Sequence, residues 1–425
     1  MQIFKPTTKI NGELNLPGDK SISHRAVMFS SLAKGKSILK NLSNGEDVKS
    51  TQKCFKALGV EIFNEGDEVI VNGAGYKGFS KPAHPLDAGN SGTTTRLISG
   101  ILAAQNFESE IIGDESLSKR PMKRIINPLT EMGGKIQSTE KFTLPLKIFP
   151  SNNLRSINYH LPVASAQVKS AILLAGLHLD ENSTVFEKIP SRDHTERMLG
   201  LKTELKESGK MISVSKKDYP IAKEYFVPSD ISTAAFFIVL TLISKNGELK
   251  IKNVSLNETR TGIITVLKSM GADIQTENFR LAAGEPIGDI IVRSSKLANI
   301  EIEKELIPNI IDEIPILSIA GIFAEGNFLI KNAEELRGKE TDRINAMCHN
   351  LKLLGLDVEE YPDGFAFGGE IKNTNPVFES FHDHRIAMAF GILSLLLKNG
   401  GAVNNFGCVS ISNPDFLLQL SRITF

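Results

Sequence analysis

Residues 57–62 read Ala57-Leu58-Gly59-Val60-Glu61-Ile62, a pattern typical of a helix that ends at a glycine and leads into a strand. The same pattern recurs four times, at Gly133, Gly200, Gly271 and Gly355, with spacings of 74, 67, 71 and 84 residues. This regularity predicts an internal repeat of about 70 residues. The 425-residue chain has room for a sixth unit, whose end at 417–425 lacks the glycine.

Working outward, six segments are apolar nearly all round, which predicts helices enclosed within a domain rather than lying on its surface. They are Arg25–Ala33, Arg96–Ala104, Ser170–Leu177, Ala234–Ile243, Ile314–Ala324 and Ile386–Leu397. The six units divide as three plus three around residues 227–230, where a proline and a new helix cap coincide. We therefore expect an α/β protein of two similar domains. Each would hold three buried helices inside a coat of strands and amphipathic helices.

The composition is that of a globular protein, with 41% hydrophobic and 23% charged residues and a formal net charge of zero. No overall charge attracts the chain to nucleic acid or to a membrane. The cysteines Cys54, Cys348 and Cys408 form no CxxC pair, which argues against a disulfide framework or a cysteine-based zinc site. Residues 1–6 have no apolar core of signal-peptide length. We therefore expect a cytoplasmic protein.

Polar or charged clusters precede five of the six apolar segments, at 17–25, 89–96, 165–169, 311–315 and 383–385. Three more clusters, at 119–121, 191–194 and 339–343, stand outside that set. A helix start exposes unpaired N–H groups and the positive end of the helix dipole, so it favours phosphate or carboxylate. Lysine and arginine add charge-assisted hydrogen bonds. Clusters aimed at one cleft would bind a ligand with several negative charges.

Each cluster also has a structural explanation, because Ser, Asn and Asp commonly cap helices and a single arginine can be a packing residue. His382 and His384 flank Asp383 and could suggest a metal pair. With no other metal-like cluster nearby, a structural role fits better, and no metal is expected. Gly35-Lys36-Ser37 has the ending of a phosphate loop, but Ser30 stands where its first glycine is required. The recurrence of eight clusters favours ligand binding over capping alone.

Residues 17–25, Pro-Gly-Asp-Lys-Ser-Ile-Ser-His-Arg, resemble the N-terminal signature of the EPSP synthases, and residues 86–97 resemble their second signature. Similar matches follow in the family's order at 113–122, 162–177, 191–199, 307–319, 337–343 and 383–388. The resemblance covers nearly the whole chain. It implies the enolpyruvyl transferase fold, with two domains of three βαβαββ repeats each. Their expected bounds are 16–228 and 229–425 plus 1–15, with the active site in the cleft between them.

The resemblance also implies the activity. The family transfers the enolpyruvyl group of phosphoenolpyruvate to the 5-hydroxyl of shikimate 3-phosphate and releases phosphate, by addition and elimination through a tetrahedral intermediate. This chemistry needs two acid–base groups. We expect Asp312 to serve the hydroxyl and Glu340 to serve C3, with Lys20 able to assist either step. We expect no cofactor, no partner beyond the two substrates, and a monomer.

The substrate contacts are carried over by motif. Those expected for shikimate 3-phosphate are Lys20, Ser21, Arg25, Ser165, Gln167, Ser191, Asp312 and Lys339. Those expected for phosphoenolpyruvate are Lys20, Asn90, Gly92, Arg120, Gln167, Arg343 and Arg385. One departure from the family pattern is Ile411, three residues before Pro414, where many members have a lysine. It puts one contact to phosphoenolpyruvate or to the leaving phosphate in doubt.

Two other functions stay open. Sister enzymes that transfer enolpyruvyl to UDP-N-acetylglucosamine share the fold but carry a reactive cysteine on a loop of the first domain. No cysteine lies between Gly100 and Lys135, and Lys20-Ser21 replaces their Lys-Asn pair. The second alternative is a non-catalytic phosphate-binding protein of the same fold. Loss of an acid–base group such as Asp312 or Glu340, or of Arg385, would favour it, and all three are present.

Overall fold

The computed structural model describes every residue from Met1 to Phe425. Its strands are β1 (Gln2–Phe4), β2 (Asn11–Asn15), β3 (Lys34–Lys40), β4 (Glu61–Glu65), β5 (Glu68–Ala74), β6 (Leu86–Asp87), β7 (Ser109–Ile112), β8 (Lys135–Gln137), β9 (Leu146–Phe149), β10 (Asn158–His160), β11 (Ser183–Glu187), β12 (Thr203–Lys206), β13 (Gly209–Val214), β14 (Glu224–Phe226), β15 (Glu248–Ser255), β16 (Asp273–Ala282), β17 (Glu285–Arg293), β18 (Phe328–Ile330), β19 (Asp357–Tyr361), β20 (Gly364–Gly368), β21 (Val377–Glu379) and β22 (Gly401–Asn404).

The α-helices are α1 (Lys20–Leu32), α2 (Glu46–Ala57), α3 (Gly92–Leu102), α4 (Lys123–Glu131), α5 (Ala166–Gly176), α6 (His194–Leu199), α7 (Ile231–Ile243), α8 (Gly262–Ser269), α9 (Ile307–Ile310), α10 (Ile314–Ile322), α11 (Arg343–Leu353), α12 (His384–Leu396) and α13 (Phe416–Ile423). Short 3₁₀ helices span Leu117–Lys119, Lys216–Asp218, Lys304–Leu306, Glu334–Gly338 and Phe406–Ile411. None of the helices combines the length and the apolar character that a membrane span requires.

Contacts divide the chain into two compact units. The N-terminal unit comprises Gly18–Pro228 and Leu281–Glu285, and the C-terminal unit comprises Met1–Pro17, Ser229–Arg280 and Pro286–Phe425. Residues 281–285, which comprise the end of β16, the turn and the first residue of β17, group with the N-terminal unit. A buried hydrogen bond accompanies this grouping: the Glu285 carboxylate lies 2.8 Å from His194 Nδ1, and both side chains are fully buried.

The three sheets of the N-terminal unit share one topology. Their strand orders are β14-β3-β5-β4, β6-β7-β9-β8 and β10-β11-β13-β12. In each sheet the first pair is parallel, and the next two pairs are antiparallel. One parallel connection followed by an antiparallel hairpin is the pattern of a βαβαββ unit. The internal repeat is confirmed.

The C-terminal unit keeps the pattern less completely. The sheet β16-β17-β15-β2 has four strands, but β18-β20-β19 and β1-β22-β21 have three each. In the second sheet a single parallel bridge between Ala298 and Glu325 stands where a strand pair would form. Strands β1 and β2, from the start of the chain, pair with β22 and β15 of this unit. The α/β fold class is confirmed, with two sheets one strand short.

All six predicted buried helices are present, as α1, α3, α5, α7, α10 and α12. Every residue of α7 from Ile231 to Leu242 is buried, which explains why no polar face is visible in its sequence. Five of the six start two to five residues earlier than predicted, because a capping side chain begins each one. The caps are Asp19, Ser91, Ser165, Asp230 and Asp383. Polar residues that were predicted to precede these helices therefore form their first turns.

The five glycines of the repeat pattern all have positive φ, between +67° and +102°. This region is strained for residues with a Cβ atom, so a glycine there ends the helix at little cost. The surroundings of these glycines nevertheless differ. A Cβ atom at residue 133 would lie 2.2 Å from the Asn153 carbonyl oxygen, whereas at residue 200 nothing lies within 4 Å.

This difference predicts two sizes of effect. Gly200→Ala should lower the free energy of unfolding by about 1–2 kcal/mol, the cost of a left-handed backbone at an L-residue. Gly133→Ala should lower it by at least about 3 kcal/mol, because a steric clash adds to that cost. Urea denaturation measures both values, and equal losses would contradict the steric explanation.

Candidate active site

The first turn of α1 carries Lys20 and Ser21. The Asp19 carboxylate caps this turn, since its Oδ1 accepts the Ile22 N–H at 2.9 Å. Lys20 Nζ lies 2.9 Å from Asp47 Oδ2, and the two side chains are 19% and 9% exposed. Because that carboxylate sits on α2, Lys20 is held at a defined position instead of extending freely into solvent.

Arg25, one turn further along α1, is an enclosed cation with neutral partners. Its Nε donates to Thr195 Oγ1 at 2.7 Å, Nη1 to the Ser21 carbonyl oxygen at 2.9 Å and Nη2 to Ser170 Oγ at 2.8 Å. No carboxylate is in ion-pair contact with it. Burial lowers the pKa of Arg25 to about 10, so the guanidinium stays charged at neutral pH. A buried charge without a direct counter-charge is costly, and an anionic ligand would relieve that cost.

A second group of predicted residues gathers at the start of α3. Arg120 Nη2 donates to Asn90 Oδ1 at 2.8 Å, and Arg96 Nη1 donates to Gln167 Oε1 at 3.0 Å. A Cβ atom at Gly92 would lie 2.5 Å from Arg96 Nη1 and 3.7 Å from Arg120 Nη1. A side chain at residue 92 would therefore displace the Arg96 guanidinium from its place near the backbone. The amino end of α3 is positively charged, as the sequence indicates.

Two of the three predicted serines of this unit, Ser165 and Ser191, differ in their hydrogen bonds. Ser165 caps α5, because its Oγ accepts the Val168 N–H at 3.4 Å. The hydrogen of its own hydroxyl is therefore left for a ligand. Ser191 is 4% exposed, and its hydroxyl donates to Glu187 Oε1. A hydroxyl has one hydrogen, so Ser191 must turn from Glu187 before it can donate to phosphate.

In the C-terminal unit, Arg343 links three carboxylates. Its Nη2 lies 2.6 Å from Glu340 Oε2, Nε lies 2.8 Å from Asp383 Oδ2 and Nη1 lies 3.5 Å from Asp312 Oδ1. Burial favours a lower pKa for Arg343, but the charges of Asp383, Glu340 and Asp312 outweigh it and raise that pKa. The two predicted acid–base residues are thus oriented by one guanidinium.

Asp312 is surrounded by cations. Besides Arg343, Lys339 Nζ lies 3.7 Å and Arg385 Nη2 3.9 Å from its carboxylate, and Arg385 Nη1 donates to its carbonyl oxygen at 2.9 Å. All five predicted residues of this unit are therefore connected through ion pairs. They come from the segment before α10, from the starts of α11 and α12, and from the loop before α11.

The charge balance of the five predicted residues in the C-terminal unit differs from the cationic cluster that the sequence predicted. Lys339 is also 2.7 Å from Glu335, and Arg385 is 3.7 Å from Glu313. Each cation here already has carboxylate partners, unlike Arg25 in the other unit. Ile411, at the end of a 3₁₀ helix, adds no charge.

The triplet 382–384 has a structural use at the start of α12. Asp383 accepts the Arg385 N–H at 2.8 Å as a helix cap and also holds Arg343 Nε. No group of three or more His, Cys, Asp or Glu side chains is placed to hold a metal ion.

Sequence reasoning missed several partners of the predicted residues. Arg96 lay inside a motif that pointed to ligand binding but was not chosen. Asp47, Ser170 and Thr195 gave no local signal. Asp47 lies 27 residues from Lys20, and Ser170 and Thr195 lie 145 and 170 residues from Arg25. Such contacts become visible only when the helices are assembled.

Comparison with known proteins points to one family. The sequence profile of EPSP synthase (3-phosphoshikimate 1-carboxyvinyltransferase) matches residues 4–420. The chain belongs to the EPSP synthase family. It is 49% identical over 424 residues to the 3-phosphoshikimate 1-carboxyvinyltransferase of Petrotoga mobilis, covering 98% of both chains. It is 46% identical to that of Alkaliphilus metalliredigens, covering 100% of both.

Solved structures agree with the family resemblance. The EPSP synthase of Acinetobacter baumannii matches with a TM-score of 0.87 and 42% identity, covering 100% of this chain and 98% of that one. The enolpyruvyl transferase NikO of Streptomyces tendae matches with a TM-score of 0.77 at 13% identity, covering 99% of this chain and 96% of that one. The latter likeness shows the shared fold alone. The resemblance to EPSP synthases read from the sequence motifs is confirmed.

The enclosed charge of Arg25 generates a stability prediction. Inorganic phosphate should raise the Tm by at least about 2 °C, because an anion bound to the folded state stabilises it. Arg25→Met should lose this response and have a higher Tm than the wild type in phosphate-free buffer, since an apolar side chain replaces a costly buried charge. Thermal unfolding at constant ionic strength measures both.

The matched control is Lys49→Met, which removes a cation that is 46% exposed and pairs with Glu46 at 2.9 Å. It should keep the phosphate response. A phosphate shift of equal size in Arg25→Met and the wild type would contradict the assignment of Arg25 as an anion-binding group.

Proposed function

We propose that this chain is a 3-phosphoshikimate 1-carboxyvinyltransferase, which moves the enolpyruvyl group of phosphoenolpyruvate onto the 5-hydroxyl of shikimate 3-phosphate. The observation that carries this proposal is the enclosed Arg25, a cation with neutral partners, one turn after Lys20 in a chain of the EPSP synthase family. Both substrates carry a phosphate and a carboxylate. They are the polyanionic ligands that such a group stabilises.

We assign the two substrates to the residues predicted by motif. Shikimate 3-phosphate is assigned to Lys20, Ser21, Arg25, Ser165, Gln167, Ser191, Asp312 and Lys339. Phosphoenolpyruvate is assigned to Lys20, Asn90, Gly92, Arg120, Gln167, Arg343 and Arg385. Because these residues come from both halves of the chain, we further propose two domains, 16–228 and 229–425 plus 1–15, each of which contributes substrate contacts.

The reaction has an addition and an elimination step. The 5-hydroxyl oxygen attacks C2 of phosphoenolpyruvate and gives its proton to Asp312, while Glu340 delivers a proton to C3. Phosphate then leaves C2 of the tetrahedral intermediate and takes up the proton held by Asp312, while a C3 proton returns to Glu340 as the enol ether forms, so both side chains regain their starting states. Arg343 contacts both carboxylates and so holds them at a fixed separation. Lys20 and the arginines stabilise the phosphate charge that develops.

We also propose a cytoplasmic location. The three cysteines are free, and Cys54 and Cys348 are buried as thiols. Burial raises the pKa of the Cys348 thiol to about 11, so it is protonated at neutral pH. Unpaired cysteines are typical of reducing compartments.

The proposed activity predicts phosphate release when the protein is mixed with shikimate 3-phosphate and phosphoenolpyruvate. The reaction should need both substrates, and mass spectrometry should detect the enolpyruvyl product. Replacing shikimate 3-phosphate by UDP-N-acetylglucosamine is the control. Phosphate release only when UDP-N-acetylglucosamine is the acceptor would favour the sister activity. No phosphate release from folded protein with either acceptor would favour a non-catalytic binding protein.

The assignment of Asp312 predicts a selective loss of turnover. Asp312→Asn keeps the shape but cannot accept the hydroxyl proton, so kcat should fall by about 10²–10⁴-fold, the usual contribution of a general base. Substrate binding should be nearly unchanged. Both KM values should therefore change by less than about threefold, which is smaller than the effect of losing one hydrogen bond. Steady-state kinetics measure this.

Asp180→Asn is the matched control, since Asp180 is 92% exposed and lies in neither group of predicted site residues. It should behave as wild type. An Asp312→Asn protein with undiminished kcat would remove Asp312 from its proposed role.

A further inference from the structure

Behind the predicted substrate residues of the N-terminal unit lies a cluster of buried charges. Lys169 is fully buried on α5, and its Nζ lies 2.8 Å from Glu187 Oε2 and 2.8 Å from Glu196 Oε1. Lys210, 12% exposed, lies 3.2 Å from the same Glu196 oxygen. Lys169 ends the cluster 165–169 found in the sequence, but none of these residues was chosen as a site residue, and the proposed mechanism uses none of them.

The cluster holds the start of the turn 191–195, which leads into α6. Glu187 Oε1 accepts both the hydroxyl and the backbone N–H of Ser191, the latter at 3.3 Å. Lys169 Nζ lies 3.5 Å from the Ser191 carbonyl oxygen. One carboxylate and one ammonium group therefore fix both backbone polar groups of Ser191. This accounts for its buried hydroxyl without a ligand.

The same cluster lies beside both hydroxyl groups that orient Arg25. Ser170 follows Lys169 on α5, and Thr195 precedes Glu196 on α6. Ser170 Oγ and Thr195 Oγ1 are 2.7 Å apart, and each accepts a hydrogen bond from Arg25. The 2.8 Å ion pair between Lys169 and Glu196 thus joins the two helices at the residues next to those hydroxyls.

A buried ion pair is weak support for stability, because apolar residues of similar volume often stabilise a fold as well. Its advantage is directional, since an ammonium between two carboxylates permits one arrangement of the helices that carry them. The charge of Glu196 also acts on Arg25: it opposes the lowering of the Arg25 pKa by burial and so favours the charged guanidinium. Both effects serve a substrate contact more directly than they serve folding.

We propose that Lys169 is a positioning residue for shikimate 3-phosphate, acting through its ion pairs with Glu187 and Glu196. It joins α5 to the turn 191–195 and thereby fixes the two hydroxyls that orient Arg25. The inference rests on the proposed function, which assigns this substrate to Arg25.

The test is a double-mutant cycle with Glu196→Gln and Thr195→Val. Glu196→Gln weakens the ion pair but leaves Lys169 with Glu187, so no buried charge is stranded. Thr195→Val removes the Arg25 acceptor at nearly constant shape. Each single variant should raise the KM for shikimate 3-phosphate by about tenfold, the loss of one charge-assisted hydrogen bond. The KM for phosphoenolpyruvate should change by less than about twofold, because the contacts assigned to it are untouched.

The double variant should exceed the larger single effect by less than about twofold, since both changes act on one contact. Glu204→Gln is the matched control: it is 40% exposed, pairs with Lys202 at 2.9 Å and should behave as wild type. Glu187→Gln breaks the cluster at its other carboxylate. It should give the same selective rise in KM, and it replaces Glu196→Gln if that variant does not fold.

Two results would overturn the positioning role. One is an equal rise, or no rise, in the two KM values of the cluster variants, and the other is single effects that multiply in the double variant. The wild type separates this failure from that of the proposed function. A wild type without turnover would contradict the proposed function. An active wild type whose variants show no selective rise in the KM for shikimate 3-phosphate would contradict only the role of Lys169.

Discussion

The burial of helices that are apolar on all sides is the constraint on which the rest of each unit depends. Helix α7, buried from Ile231 to Leu242, has no face to offer a ligand. Only the end of such a helix can carry chemistry, and the amino end is the one that attracts anions. The predicted site residues of both units therefore gather in first turns and the loops that lead to them, as at Lys20 and Arg385.

The two units use charge differently. In the N-terminal unit Arg25 is enclosed by hydroxyls and a carbonyl oxygen, so its charge is left for a ligand. In the C-terminal unit Arg343 is shared by three carboxylates, which it orients. The first arrangement costs stability and favours anion binding, and the second favours proton transfer at a defined geometry. An addition–elimination reaction on anionic substrates needs both.

Much of the fold followed from sequence patterns, and the exceptions have identifiable causes. The buried helices and repeat glycines were predicted because all-round apolarity and helix-ending glycines are local properties. The predicted helix starts lay too far along the chain, because the polar residues of a first turn resemble those of a loop. The grouping of residues 281–285 with the N-terminal unit has no local signal, because the buried hydrogen bond between Glu285 and His194 joins residues 91 positions apart.

The predicted site shows the same contrast between local sequence signals and long-range contacts. Motif residues such as Lys20, Arg120 and Asp312 could be chosen because the resemblance to EPSP synthases is specific at those positions. Their partners could not, since Thr195 and Lys169 are ordinary residues until α5 and α6 are side by side. Ser191 was chosen by motif, but its hydroxyl is engaged by Glu187.

The sequence alone determined the family, the repeat and the residue types at the helix starts, because each depends on residues that are adjacent in the chain. Tertiary structure decided which cations keep their charge for a ligand and which are already paired. It also decided that Lys169 lies beside the acceptors of Arg25. Ion pairing depends on distances of a few ångströms between residues far apart in the chain, and only the packing of helices and sheets sets those distances.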